Sequence, residues 1–132
     1  MPGSVLSASG DCFEPQRFLG DSAFIPCNVF RKGELKAQSR SWISSGFTVV
    51  VSEASGDDLA RQIQDAIEFL RTHKEEVVRL RRFEGLDGID LDFGVNRKNG
   101  FLQSSYLPPE LVTLAGALGV GIEISIYGED GS

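Results

Sequence analysis

Two periodicities divide this chain between them. Over residues 86–95 apolar and polar positions alternate, so that Ile89, Leu91, Phe93 and Val95 fall on one side of an extended strand and Gly88, Asp90, Asp92 and Gly94 on the other. That pattern predicts a strand with one face on a core and one in water. Residues 121–127 repeat it, with Ile122, Ile124 and Ile126 on one face and Glu123 on the other. Over residues 59–70 the period changes. Leu59, Ile63, Ala66, Ile67 and Leu70 recur at helical spacing and make one apolar stripe. The stripe breaks at Thr72-His73-Lys74 and resumes with Val77, Val78 and Leu80, which predicts a bent helix or two helices in series. Ser55 with Asp58 three residues on resembles a capping box, and Arg79, Arg81 and Arg82 crowd the negative end of the helix dipole.

Weaker signals fill the rest. Residues 5–9 read as a first strand, and residues 11–20 as a short helix capped by Asp11 and closed by a left-handed Gly20. Residues 23–30 read as an edge strand, because Pro26 lacks the N–H that an inner strand needs. A charged turn, residues 31–36, precedes a strand opened by Trp42 and Ile43, which residues 47–51 continue or follow, with a bulge or bend at Gly46 between the two parts. Asn99-Gly100 marks a turn, residues 101–106 a short irregular strand, and Pro108-Pro109-Glu110 the start of a helix that Gly119 ends.

The predicted order is β-α-β-β-α-β-α-β, with neither internal repeat nor linker. It specifies one α+β domain over residues 1–132, built on a mixed or mainly antiparallel sheet with helices packed on one face. Ile89, Leu91 and Phe93 are expected beneath the 59–70 helix, Asp90 and Asp92 in water, and the 121–127 strand beside the 86–95 strand.

Composition narrows the function classes. With 132 residues and 41% hydrophobic content, the chain can bury one real core without staples. No apolar run approaches the length of a membrane span, and the first residues lack both the basic and the apolar parts of a signal peptide. The expected setting is therefore the bacterial cytoplasm, with no membrane partner. The two cysteines, Cys12 and Cys27, have no metal-binding spacing and are expected reduced and partly buried. A net charge of −6 suits a basic protein partner and weighs against nucleic acid. The basic residues that would contact nucleic acid are Arg71, Lys74, Arg79, Arg81 and Arg82, or Arg31, Lys32, Lys36 and Arg40, and neither group is interleaved with aromatic residues. A homo-oligomer is left open.

One short motif invites a catalytic reading. DGIDLDFG, from Asp87 to Gly94, looks like the D-G-x-D-x-D-x-E signature of family-18 chitinases, whose final Glu protonates the leaving glycosidic oxygen. Here that position is Gly94, which carries no acid, and residues 95–101 supply no substitute. A barrel of that class needs about 250 residues, more than this chain has. The alternation described above accounts for the same residues: the acids stand where the strand faces water.

Across its length, from about residue 5 to residue 127, the chain resembles a bacterial family, the domain of unknown function numbered 4279. The resemblance is carried by Gly10-Asp11-x-Phe13-x-Pro15, by Arg31-Lys32-Gly33-Glu34 and the lone Trp42, and by the amphipathic stretch from Asp58 to Leu70. Leu107-x-Pro109-Glu110-Leu111 and Ile122-x-Ile124-x-Ile126-Tyr127 complete it. Cys12 stands where the family usually has an acid, and the strand over residues 47–51 is fuller. The resemblance implies a small α+β domain and no established activity.

No nucleophile, base and orienting group stand together in the sequence. His73 is the sole histidine, set among charged helix residues, and no local signature joins it to Cys12. No zinc spacing and no calcium loop are present, and no cofactor is expected. Asp90, Asp92 and Glu123 share a solvent face if their strands are neighbours, and hard cations favour such oxygens, although a solvated acidic face is the better account of them. The expectation is a non-enzymatic protein-interaction module, immunity-like or accessory, that uses this acidic face. The alternative is a small-ligand-binding or hydrolytic protein with a cleft near Asp11, Arg31 and Trp42.

Overall fold

The computed structural model describes residues 3–36 and 40–128. Among these, the strands are β1 (Gly3–Gly10), β2 (Asn28–Phe30), β3 (Leu35–Lys36), β4 (Arg40–Ser41), β5 (Ser45–Ser52), β6 (Gly88–Asn96) and β7 (Gly121–Tyr127). The helices are α1 (Pro15–Leu19), α2 (Leu59–Thr72), α3 (Lys74–Arg81) and α4 (Pro109–Ala117). One mixed sheet has the order β2-β5-β1-β6-β7, and β3 and β4 form a separate small hairpin. All pairings within the main sheet are antiparallel except β6 with β7, because α4 returns the chain to the starting end of β6 before β7 begins.

The alternation of period two becomes the two faces of this sheet. Leu6 and Ala8, Phe47 and Val49, and Ile89, Leu91 and Phe93 point to the helix side and are buried. Across them lie Ile63, Ala66, Ile67 and Leu70 of α2, Val77 and Leu80 of α3, and Leu111 and Ala115 of α4. The fold is α+β, with the helices on one face of an open sheet. α2 starts where Asp58 accepts the backbone N–H of Arg61 (3.1 Å), so Asp58 is the cap itself, while Ser55 accepts the N–H of Asp57. α2 and α3 are separate, with His73 at the junction.

Several local expectations are corrected. α1 begins at Pro15 after Glu14, so Asp11 is not its cap, and Gly20 is right-handed (φ −59°). β2 shrinks to residues after Pro26, which has no N–H to give. Trp42 and Ile43 lie outside β5, and Gly46 is no bulge: a Cβ there would collide with the Ala8 carbonyl oxygen, so the glycine admits close strand approach. The register slip sits instead between Ser4 and Val5, which pair with Ser52 and Val50. Residues 101–106 form no strand, since Gln103 ties that loop down, accepting the N–H of Lys98 and donating to the Asn96 carbonyl. Cys12 and Cys27 are both exposed free thiols, contrary to the expected burial.

Candidate functional site

The face of the sheet turned away from the helices carries the acidic residues. Register places Asn28, Thr48, Ser7, Asp90 and Gly121 in one row across the five strands. The next row holds Val50, Val5, Asp92 and Glu123. Asp92 and Glu123 are thus direct neighbours on adjacent strands, where like charges repel unless water or a cation lies between them. Solvent access makes the pair tolerable: Glu123 is exposed and Asp92 half-buried. Ser125 donates its hydroxyl to Asp92 Oδ1 (2.7 Å), fixing that carboxylate, and Asp90 reaches over Gly121, where any Cβ would meet its oxygen.

Beside these acids lies a trough of about 400 Å³ whose lining includes Val5, Val50, Glu53, Asp92, Gly94 and Tyr127. Val5 and Val50 line it together with the Ser4 and Ser52 hydroxyls, two carboxylates and a phenol. Sequence reasoning missed Glu53 and Tyr127. The signal for Tyr127 was available, since it stands two and four residues beyond Ser125 and Glu123 on the same face of β7. Glu53 lies past the end of β5, where alternation gives no guidance. Asp90, Asp92 and Glu123 share the face as expected, yet among the described residues no three His, Cys, Asp or Glu side chains are placed to hold one metal ion.

Asp11, Arg31 and Trp42 gather differently. Asp11 forms an ion pair with Lys32 (2.6 Å), whose ammonium it holds above its ordinary pKa by hydrogen bonding and charge, and the Asp11 N–H donates to Asp87. Arg31 is exposed in a turn whose N–H is accepted by Glu34. Trp42 stacks on Phe30 with ring centroids 4.1 Å apart, and Phe30 in turn covers Gly46. Aromatic rings therefore occupy the open-face corner where those residues meet the sheet.

Several other chemistry-bearing groups are tied into the framework. His73 is half-buried, packed against Phe69 (4.5 Å) and Phe24 (5.5 Å). Of the basic residues considered for nucleic acid, Arg71 pairs with Glu110 and Lys32 with Asp11. Arg79 grips Glu76 and the Phe18 carbonyl while lying 4.0 Å over the Phe18 ring. The Lys36 side chain lies outside the described residues. No described helix is long and apolar enough to cross a membrane.

No family model, no curated protein and no solved structure matches this chain.

Proposed function

We propose that this domain is a non-enzymatic interaction module, immunity-like or accessory, that docks a basic protein partner on its open sheet face. The supporting observation is the row Val50, Val5, Asp92 and Glu123, two valines leading into adjacent carboxylates with no helix above them among the described residues. Arginine or lysine side chains fit such a surface, their stems on the valines and their charges between Asp92, Glu123 and Glu53. A partner's cation also relieves the repulsion that the unbound face carries. The bacterial, cytoplasmic setting and the kinship with the domain of unknown function 4279 belong to the same proposal. A ligand cleft at Asp11, Arg31 and Trp42 is the lesser reading, since Lys32 already engages Asp11.

The test compares the wild type with Asp90→Lys and Asp92→Lys in capture from a bacterial lysate and in titration with an arginine-rich peptide. Binding should weaken by about tenfold or more in the variants, and wild-type binding should fall steeply with added salt. Partners that bind the variants as well as the wild type would refute the reading.

A further inference from the structure

The two edges of the sheet are built differently. At one edge β2 is short, follows Pro26 and offers little to pair with. At the other, β7 runs for seven residues as Gly-Ile-Glu-Ile-Ser-Ile-Tyr, with no proline, lysine or bulge. Proteins ordinarily blunt an exposed edge with such devices, because a bare edge is a template for another strand. β7 ends the strand order, and among the described residues its sole backbone bond outside the β6 pairing runs from the Arg97 N–H to the Tyr127 carbonyl (2.8 Å). That bond fixes which groups face which way. Arg97 follows Asn96, the register partner of Tyr127, so Tyr127 turns its N–H and C=O towards β6. By alternation Ser125 and Glu123 do the same, and the N–H and C=O of Ile122, Ile124 and Ile126 point to the open edge.

We propose that β7 pairs antiparallel with β7 of a second copy, about a two-fold axis at Ile124. In this register Ile124 meets its own mate and Ile122 meets Ile126. Every outward N–H of one copy then finds an outward C=O of the other. Glu123 faces Ser125 of the second copy. A shift of the axis to Glu123 would set two like carboxylates directly opposite, which disfavours that register. The side chains agree as well: Ile126 is 55% exposed at this edge. The two-fold lies perpendicular to the sheet, so the dimer is one continuous sheet with both acidic faces on the same side. Like charges near the joint make the dimer tighten as salt rises.

Sedimentation over a concentration series, with and without salt, tests this on the full chain. A dimer of twice 14.4 kDa is expected. Ser125→Glu, which opposes Glu123 of the mate, should weaken it, and Ser125→Lys should strengthen it, each by roughly three- to thirtyfold. Ile124→Pro should abolish dimerisation while leaving the fold, since a proline is tolerated where the N–H faces outward at an edge. Circular dichroism checks that it folds, and the Ser125 pair keeps the test decisive if it does not. Hydrogen exchange should show protection of the Ile122, Ile124 and Ile126 amides that depends on protein concentration, whereas the Glu123 and Ser125 amides are protected throughout. A monomer at every accessible concentration overturns the proposal, including the case in which only a foreign strand binds the edge. So does a dimer indifferent to residue 125.

Discussion

Leu70 has no exposed surface and lies in the middle of the core that α2, α3 and the sheet share. A carboxylate in its place would lack any partner, and burying one costs several kcal/mol, on the order of the whole stability of a small domain. Leu70→Asp should therefore leave the chain unfolded or melting far below the wild type in thermal denaturation. A shift of a few degrees would mean that this face of α2 is not core. At this scale the apolar stripe was legible, because helical spacing alone places Ile63, Ala66, Ile67 and Leu70 inward. Gln62 was not. It is fully buried, and its amide N–H groups reach the carbonyl oxygens of Ser55 and Gly94. A glutamine between apolar positions reads as solvent-facing until the chain 32 residues away is known to pass beside it. The cysteines erred the other way: a small apolar side chain is usually inside, yet Cys27 lies beside Thr48 at the edge strand and Cys12 in the exposed turn after β1.

Between elements, α2 is stapled to β5 by Ser52, whose hydroxyl donates to Asp65 (2.7 Å) and accepts the N–H of Ala54. That hydroxyl, with help from Arg61, holds the Asp65 carboxylate below its ordinary pKa against the opposing effect of desolvation. A depressed carboxylate contributes stability above its unfolded value, near pH 4, and loses that contribution as pH falls through the folded value. Removing the hydroxyl in Ser52→Ala should cost about 1 kcal/mol at pH 7, scaled down for the partial exposure of Asp65. The deficit should shrink as urea unfolding is repeated below about pH 4, down to the pH-independent part left by the lost Ala54 contact. A deficit constant down to pH 2 would show that the charge of Asp65 plays no part. Long periodic elements such as α2, β6 and β7 were readable because several side chains in each report the same face. The short pieces were not: β3 and β4 exist because Gly33 and Glu34 bond the backbone of Trp42, a pairing that no local periodicity announces.

For the molecule as a whole, the stretch from Asp87 to Gly94 asks whether an isolated motif can carry a function without its architecture. The acidic face was legible, because period two put Asp90, Asp92 and Glu123 outward and the matched alternation of β6 and β7 made them neighbours. The parallel sense of that pairing was not, since it depends on where α4 delivers the chain. A general acid for glycoside cleavage needs a cleft that holds the sugar, with a second carboxylate or substrate group across the scissile bond. Gly94 instead lies buried in an open sheet, at the end of β6 beside Ser4 and Ser52 in the trough wall, with its carbonyl engaged by Gln62 (2.8 Å). Restoring the motif's acid with Gly94→Glu should accordingly give no cleavage of chitin oligosaccharides above the uncatalysed rate. It should also lower the melting temperature, because the new carboxylate enters a buried position in the same trough wall as Asp92 and Glu53, whose like charges oppose it. The measurements are a reducing-end assay and a thermal melt on the same preparation. Specific turnover by that variant would mean that the trough beside Gly94, rimmed by the like charges of Asp92 and Glu53, holds a sugar across the new acid, which its residues give no reason to expect.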